Sequence, residues 1–590
     1  MMVIRIHTKL EWLVMLLLVI ALLTFFWFYY TNRISAGQLL FAKIGLSLAL
    51  VALLLPSSNS AKPFSIRLPV SLWIFPVAVY TVAETELLHL RNTGLGYVIA
   101  LAFTLLITVL AEEKPAKKVA VATAIVGASL IQLYTLYAPS FGNDTWRDII
   151  WTAQALQTGH VTETTVRHSA YPFPMVPLEY ALTSLLSGLD PVWVSVVMGL
   201  LYLLQLPLVV FLLSRRFGGF DDFRGAFVLL MAPLVVMWSA WYIPQVYSLT
   251  LFLTAFLAGS ALTQIPLLTA GVFGHGGVAT WMVLTTTALW ISKRGRETAA
   301  MLLNLIIIFA AYATYTSLLY ALSGAYNSVV EAVLAFLRGE KILAATAPVS
   351  APPISSLGNL AISVLAMSGL LVFLHGRGSA RTLAFLSGTF LVVAYIGASA
   401  FPAADLPRYL GLPSAAMLAV FAPYTFELLR RRRYATLYSL LLVAVAVFSF
   451  AYSGVFAPKN PYTNNPYGLS LSGLISYGDA QQIRTISQML APGTYLTDWR
   501  SGHFMASIYL DIQPQYRGFR YKGIEFIYGG SYGLYIDSTY LQRFSGLIIL
   551  RQESSDMPGV WSAEVFGMIR EPENSVLYSS NGIVIWARGS

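Results

Sequence analysis

The feature that most constrains the fold is a series of long apolar runs that fills most of the chain. Of the 590 residues, 57% are hydrophobic and only 11% are charged, whereas a soluble domain is about a quarter charged. A helix needs about 20 apolar residues to cross the hydrocarbon core of a bilayer. The sequence therefore predicts a polytopic α-helical membrane protein of about fifteen transmembrane helices. The candidate spans are 12–30, 38–55, 68–83, 96–111, 119–138, 191–213, 225–242, 246–262, 264–276, 277–292, 298–320, 358–375, 383–401, 409–429 and 435–455.

Basic residues give the orientation of these spans, because Lys and Arg accumulate in cytoplasmic loops. All the basic clusters fall on one side if the N-terminus is cytoplasmic and all fifteen spans cross. The clusters are Arg5 and Lys9; Lys62 and Arg67; Lys114, Lys117 and Lys118; Arg215, Arg216 and Arg224; Lys293, Arg294 and Arg296; Arg377 and Arg381; and Arg430 to Arg433. This assignment requires the apolar stretch 172–188 to lie along the outer interface instead of crossing. The first large loop, 139–190, and the C-terminal tail then face outside a cell (plasma) membrane.

Composition also excludes several kinds of function. The chain has no cysteine, so disulfides, thiolate metal sites and cysteine nucleophiles are excluded. The net charge of +10 belongs mainly to the cytoplasmic loops, so we expect no nucleic-acid partner. The first apolar run, 12–30, is long enough to span and no small-residue cleavage site follows it, so we expect no cleaved signal peptide.

The tail, residues 457–590, is polar and nearly neutral, and it is large enough to form its own core. Its patterning predicts a small extracytoplasmic α/β domain. A helix is expected at 479–490, with strands at 494–497 and 544–550. The segment 575–586 contains Ser580-Asn581-Gly582 between two apolar runs, which indicates a β-hairpin.

The first outward loop contains a polar island at 141–177, and charge beside a membrane span indicates a functional site. Asp144 and Asp148 are four residues apart, so on a helix they share a face, with Arg147 near it. The apolar spacing from Thr145 to Gln157 predicts an amphipathic helix lying on the membrane, with Asp144 as its N-cap. Two interpretations are open. The carboxylates either cap the helix and pair with a local arginine, or they bind a divalent metal or act as a base.

Other candidate residues lie further along the chain. His160 and His168 are near these carboxylates. A structural role is favoured for each histidine taken separately, and the alternative is that His160 joins Asp144 in a metal site. Tyr242 and Gln245 belong to the motif WYIPQ at the outer end of a span, where a helix break with a buried polar group is equally expected.

His275 lies in FGHGG, where a broken helix could line protein or a cavity. Arg408 is at the outer edge of a span beside Asp405, either snorkelling or holding a phosphate. In the tail, Asp498, Trp499, Arg500 and His503 mark a strand-to-helix turn, for which a surface capping cluster is favoured.

The order of these features resembles the GT-C superfamily of integral-membrane glycosyltransferases, particularly archaeal mannosyltransferases and oligosaccharyltransferases. The resemblance rests on the acidic first loop, TGHV, YPFP, EYALTSLLSGLDP, WYIPQ, the later histidine, the outer arginine and the final soluble domain. It covers 119–590. Residues 119–456 would be the GT-C-like core, 457–590 the soluble domain, and 1–118 additional N-terminal helices. A WWDYG-type motif is not found, so an oligosaccharyltransferase reader of acceptor sequons is not expected.

The resemblance implies transfer of a sugar from a polyprenyl-phosphate (for example dolichol-phosphate) donor to a lipid, glycan or protein acceptor at the outer face. The catalytic base or metal-site residue would be Asp144, with Asp148 as second candidate. Arg408 and Arg147 would bind the donor phosphate. Mg²⁺ or Mn²⁺ would suit an oxygen-rich site. The side chains expected to line the substrate cavity are His168, Tyr171, Tyr242, Gln245, His275, Trp499 and Arg500.

Two other classes of function remain open. A transporter or flippase for a lipid-linked or polymeric substrate would fit the many spans and the break at His275. A membrane scaffold with an extracytoplasmic interaction domain would fit the neutral, tyrosine-rich tail. The internal repeat and the intramembrane charges that are typical of transporters are not evident in the sequence.

Overall fold

The structure is a computed structural model of the full chain. It describes residues 114–136, 138, 143–160, 174–232, 242–316, 359–400, 410–430, 475, 477–510, 518–529, 544, 546–551, 574–580 and 583–588, together with a few single residues between these ranges. The predicted spans 12–30, 38–55, 68–83 and 96–111 lie outside the described residues, apart from Ile20, as does most of 435–455.

The described part of 114–430 is helical. Its helices are α1 (Pro115–Leu136), α2 (Asn143–Thr158), α3 (Met175–Ser187), α4 (Pro191–Leu213, continued by a π-turn at Ser214–Gly218), α5 (Arg224–Leu230), α6 (Pro244–Ala255), α7 (Ala261–Gly274), α8 (Gly276–Lys293), α9 (Arg296–Tyr315), α10 (Leu360–His375), α11 (Gly378–Ala400) and α12 (Leu412–Arg430). They enclose one large apolar core.

Several predicted spans match these helices, and in two cases the helix is shorter than the predicted span. Within the described residues, two helices are long and apolar enough to cross a membrane, at Pro191–Phe217 and Arg296–Thr314. The predicted span 225–242 is not one continuous helix. Helix α5 ends at Leu230, shortly before Pro233, which disfavours helix in the residue before it, and residues 235, 238 and 239 are helical again. The predicted span 246–262 ends at Ala255, and Ser260 caps the next helix instead.

Helix α3, predicted to lie along the membrane, has two apolar faces. One face is buried in the protein and includes Val176, Tyr180 and Ala181. The other is a stripe of exposed leucines, Leu178, Leu182, Leu185 and Leu186, of which Leu186 is 80% exposed. A contiguous exposed apolar stripe marks a protein or membrane contact. This geometry fits the predicted interfacial position.

Helix α2 packs against two hydrophobic cores. The sequence predicted instead an amphipathic helix lying on the membrane. Trp146 is 1% exposed and packs in the core of the C-terminal region. Ile149 and Trp151 pack in the helical core. Both sides of the helix are therefore covered by protein. The N-cap prediction is also wrong, because the helix begins at Asn143 and Asp144 lies in its first turn.

The C-terminal region combines two helices with one six-stranded sheet. The helices are α13 (Tyr477–Met489) and α14 (Trp499–Phe504, continued by a π-turn at Met505–Tyr509). The strands are β1 (Gly493–Asp498), β2 (Gly518–Tyr521), β3 (Ile524–Gly529), β4 (Leu547–Arg551), β5 (Asn574–Ser580) and β6 (Ile583–Arg588), in the order β2-β3-β1-β4-β6-β5.

Strand β1 is parallel to both neighbours, β3 and β4, and the remaining pairs are antiparallel. The predicted helix at 479–490 and the hairpin around Ser580-Asn581-Gly582 are confirmed. A second hairpin, β2–β3, was not predicted from the sequence. It turns at Lys522 and Gly523, which have φ angles of 47° and 81°.

A glycine in α4 allows that helix to touch the segment that leads to α6. A Cβ atom on Gly199 would lie 2.2 Å from the carbonyl oxygen of Ser239, and a backbone carbonyl cannot rotate away. We expect Gly199→Ala to destabilise the protein by about 1–3 kcal/mol through overpacking. The matched control is Gly127→Ala in α1, where nothing lies within 4 Å and where better helix propensity stabilises by up to about 1 kcal/mol. Thermal unfolding in detergent measures both, and equal shifts in the unfolding midpoint would contradict this packing.

Candidate functional site

The centre of the candidate site is the ion pair between Arg147 and Asp148 on α2. The Nε and Nη2 atoms of Arg147 donate to Oδ1 of Asp148 at 3.1 and 3.0 Å. Asp148 is fully buried, while the Arg147 side chain is 17% exposed and lies over the ring of Trp151. The second carboxylate oxygen, Oδ2, is buried and has no hydrogen-bond partner among the described residues. This oxygen is available to accept a proton or a hydrogen bond.

The environment of Asp148 raises its pKa from 3.8 to about 6. Burial is the main cause, because it penalises the charged form, and the charge and hydrogen bonds of Arg147 act in the opposite direction. A carboxyl group with this pKa can hold or release a proton near neutral pH. The sequence left pairing with a local arginine and action as a base as alternatives for Asp148. Since only one carboxylate oxygen is paired, the two roles are compatible.

Helix α2 is joined to α3 one turn after Asp148. The hydroxyl of Thr152 lies 2.7 Å from the carbonyl oxygen of Asp148 and 3.2 Å from that of Pro177 in α3. Thr152 is fully buried. The position of the Asp148 turn therefore depends on the position of α3.

A second, partly buried carboxyl group, Glu179 on α3, was missed by the sequence analysis. Its Oε2 accepts a hydrogen bond from the hydroxyl of Tyr242, and burial raises its pKa from 4.5 to about 7, against the effect of that bond. The Tyr180 hydroxyl donates to the Tyr242 carbonyl oxygen at 3.3 Å. Glu179 is the only charged residue of α3, and this is the signal that could have found it.

The motif WYIPQ lies at a helix break with a buried polar group, which is one of the two predicted interpretations. Tyr242 is fully buried against Tyr202, with ring centroids 4.7 Å apart. Pro244 begins α6. Gln245 is 3% exposed, and its Oε1 has no hydrogen-bond partner among the described residues. Whether Tyr242 and Gln245 contact substrate stays a prediction.

His275 lies at a real helix break. It separates α7 from α8, and its Nδ1 accepts hydrogen bonds from the amides of Gly277 and Val278 at 3.2 and 3.4 Å. The residue is 5% exposed. The histidine therefore caps the N-terminus of α8, and its predicted place in the substrate cavity stays a prediction.

In the C-terminal region, Asp498 caps α14 and is buried, not at the surface as predicted. Its two oxygens accept from the amide and hydroxyl of Ser501 at 2.9 and 2.7 Å. Trp499, Arg500 and His503 follow in α14, and their side chains lie outside the described residues. The continuation of this helix packs on α2, where Trp146 meets Phe504 edge-to-face with ring centroids 5.7 Å apart.

The remaining predicted residues are not brought into this cluster by the described structure. His168, Tyr171, Arg408 and the side chain of Asp144 lie outside the described residues. His160 is exposed at the end of α2, and its Nδ1 lies 3.0 Å from the carbonyl oxygen of Thr158. Within the described ranges, no three acidic or histidine side chains are grouped as metal ligands.

The chain is similar to two solved structures of ArnT from Cupriavidus metallidurans. The structure bound to undecaprenyl phosphate is 13% identical with a TM-score of 0.39, and the apo structure is 12% identical with a TM-score of 0.31. Each similarity covers 79% of this chain and 97% of that chain. No family model and no curated protein matches the chain.

Proposed function

We propose that this protein is a multi-pass membrane glycosyltransferase that moves a sugar from a polyprenyl-phosphate-linked donor to an acceptor at the outer membrane face. The observation that carries the proposal is the buried Asp148 carboxyl with one unpartnered oxygen beside the partly exposed guanidinium of Arg147. A proton acceptor next to a cation is what glycosyl transfer from a phosphate needs.

A membrane setting for this site is supported by the surface of the helices around it. Besides the leucine stripe on α3, helix α4 exposes Trp193, Leu201, Leu204 and Leu208 over a length that can span a bilayer. A donor with a polyprenyl tail would keep the tail in the bilayer while its phosphate reaches the polar first loop. The orientation with an outward loop rests on the placement of the basic clusters.

The proposed reaction uses the two members of the pair in different ways. The acceptor hydroxyl oxygen attacks the anomeric carbon, the bond from that carbon to the phosphate oxygen breaks, and the hydroxyl proton passes to Asp148. Polyprenyl phosphate leaves with the bonding electrons, and inversion at the anomeric carbon follows. Arg147, and Arg408 from outside the described residues, would stabilise the charge on the leaving phosphate.

Donor binding would also activate the base. A phosphate that binds Arg147 competes with Asp148 for the guanidinium. Because Arg147 lowers the pKa of Asp148, its withdrawal raises that pKa further, which strengthens the carboxylate as a proton acceptor. The ion pair would then be the resting state of the site.

The pH dependence of transfer tests this assignment. We expect kcat/KM to rise with pH through about 6, because Asp148 must be ionised to accept a proton and its pKa is raised to about 6 by burial. The rise of kcat with pH should lie at higher pH than the rise of kcat/KM, because donor binding removes Arg147 from the carboxylate and so raises the pKa of Asp148. Initial rates with a polyprenyl-phosphate sugar over a pH series measure both limbs. A kcat/KM that does not change across this range would contradict the role of Asp148.

The described residues do not by themselves fit a Mg²⁺ or Mn²⁺ site. Asp148 offers one carboxylate oxygen, and Arg147 occupies the other. Hard divalent cations need several oxygen ligands. A cation would therefore require Asp144 and further ligands from outside the described residues. Transfer assays in EDTA, followed by addition of Mg²⁺ or Mn²⁺, decide whether the reaction depends on a metal.

A transporter or flippase for a lipid-linked or polymeric substrate is the second candidate, favoured by the helix break at His275. Broken helices at membrane depth are tolerated where they line protein or a cavity. Movement of a lipid-linked sugar across sealed vesicles without a new glycosidic bond would favour this function. Formation of the bond by the purified protein would favour the transferase.

A further inference from the structure

Glu179 makes a side-chain hydrogen bond between helix α3 and the helical core. Its carboxyl group is bonded to Tyr242, and the neighbouring Tyr180 is bonded to the backbone of the same tyrosine. Three phenol rings, those of Tyr202, Tyr242 and Tyr247, are packed in sequence beside it. Helix α3 is therefore tied to the Tyr242 segment by two hydrogen bonds from adjacent residues.

The first turn of α3 also contacts the Asp148 turn, through the backbone of Pro177. The carbonyl oxygen of Pro177, two residues before Glu179, lies within hydrogen-bond distance of the Thr152 hydroxyl, which also contacts the Asp148 carbonyl. The Thr152 hydroxyl has one proton, so the contact with Pro177 at 3.2 Å is the longer branch of a shared hydrogen bond whose shorter branch, 2.7 Å, goes to Asp148. Through this shared bond and the two residues from Pro177 to Glu179, the Tyr242 contact is connected to the Asp148 turn. A shift of α3 would move the backbone that carries the candidate base.

We propose that Glu179 is a positioning residue for the first-loop site: its contact with Tyr242 holds α3, and through α3 the Asp148 turn, in the arrangement needed for transfer. The role of Glu179 in sugar transfer rests on the proposed function. A buried carboxyl group costs folding free energy that an apolar side chain of similar size would not. The presence of Glu179 in α3 is explained if its hydrogen bond with Tyr242 positions the Asp148 site.

Titration of Glu179 gives this contact a pH dependence. The titratable groups that act on its carboxyl are the phenols of Tyr202 on α4, of Tyr242 just before α6 and of Tyr247 in α6. On α2, Arg147 and Asp148 pair with each other, and His275 caps α8. Since burial raises the pKa of Glu179 to about 7, its neutral form is favoured below that pH. Ionisation above that pH places a charge in a poorly solvated contact. The hydrogen bond from Tyr242 offsets only part of the cost of burying this charge, so the gain in solvation on opening should loosen α3.

Transfer kinetics give the first test, with Glu179→Gln, Glu179→Ala, Tyr242→Phe and the control Tyr247→Phe. Gln keeps the shape and an acceptor oxygen but cannot ionise. We expect Glu179→Gln to keep kcat near the wild-type value below the Glu179 pKa and to lose the fall in activity above it. Glu179→Ala and Tyr242→Phe should lower kcat by about tenfold to a hundredfold, as misplacement does, with little change in KM for the donor. Full activity of Glu179→Ala, or equal loss in the Gln and Ala variants at every pH, would overturn the inference.

A distance measurement gives a second test that does not depend on activity. The chain has no cysteine, so spin labels can be placed at Leu185→Cys on α3 and Leu262→Cys on α7, positions that are 73% and 84% exposed. We expect a narrow distance distribution below the Glu179 pKa, and a broad one above that pKa or in Glu179→Ala. Glu179→Gln should stay narrow throughout. A narrow distribution in Glu179→Ala would refute the positioning role even if transfer is observed. Broadening without any transfer in the wild type would leave the contact established and refute the proposed function.

Discussion

Replacement of Asp148 by Asn is expected to reduce sugar transfer by about 10²–10⁴-fold, the usual contribution of a general base. Asn has nearly the same shape, and its amide oxygen can still accept from Arg147, which donates to Asp148 at 3.0 Å. The change therefore removes proton acceptance while it keeps the packing of α2. The measurement is the initial rate of transfer by purified protein in liposomes, with thermal unfolding as a check on folding.

The matched control for this variant is Asp221→Asn. Asp221 also pairs with an arginine, Arg215 at 3.4 Å, but its side chain is 62% exposed and it lies on a predicted cytoplasmic loop. We expect transfer by this variant at the wild-type rate. Asp144→Asn belongs in the same series, because Asp144 was the first candidate from the resemblance. Full activity in both the Asp144 and Asp148 variants would remove the acidic first loop from the mechanism.

Replacement of Trp146 by Ala is expected to destabilise the protein by about 3–5 kcal/mol, the cost of removing a large buried aromatic side chain. Trp146 is 1% exposed, packs in the core of the C-terminal region and meets Phe504 edge-to-face. The loss should separate the C-terminal region from α2, so limited proteolysis should release it at a lower temperature than in the wild type.

Trp193→Ala is the control for the Trp146 variant. Trp193 lies on α4 and is 44% exposed, so its removal leaves no cavity, and we expect less than about 1 kcal/mol of destabilisation. Unfolding midpoints in one detergent compare the two. If the Trp146 variant unfolds and is cleaved like the wild type, α2 does not hold the C-terminal region.

The elements that the sequence predicted well are those with a strong local signal. The long apolar run at 191–213 coincides with α4, bounded by Asp190 as N-cap and Pro191 at the first position. The glycines around His275 permitted a break, and the structure has one. The Ser580-Asn581-Gly582 turn gave the β5–β6 hairpin. In each case the residues that determine the conformation are neighbours in the sequence.

The features that the sequence missed depend on contacts between distant segments. The amphipathic pattern of α2 showed that one face would be covered, but it could not show that the C-terminal region supplies part of the cover through Phe504. The sequence marks Glu179 as the only charged residue of α3, but it does not show the partner, Tyr242, which is 63 positions away. The sequence predicted longer continuous helices in place of α5 and α6, because apolar composition alone does not reveal where a buried turn interrupts a helix.

The most direct measurement is the transfer of a labelled sugar by the purified protein from a defined polyprenyl-phosphate donor in liposomes, analysed by mass spectrometry for a new glycosidic bond. Wild-type protein should form the bond and release polyprenyl phosphate, and Asp148→Asn should form it at about 1% of that rate or less. Transfer at the same rate by Asp148→Asn would contradict the assignment of the base. Movement of the intact donor across the membrane with no new bond would contradict the transferase itself.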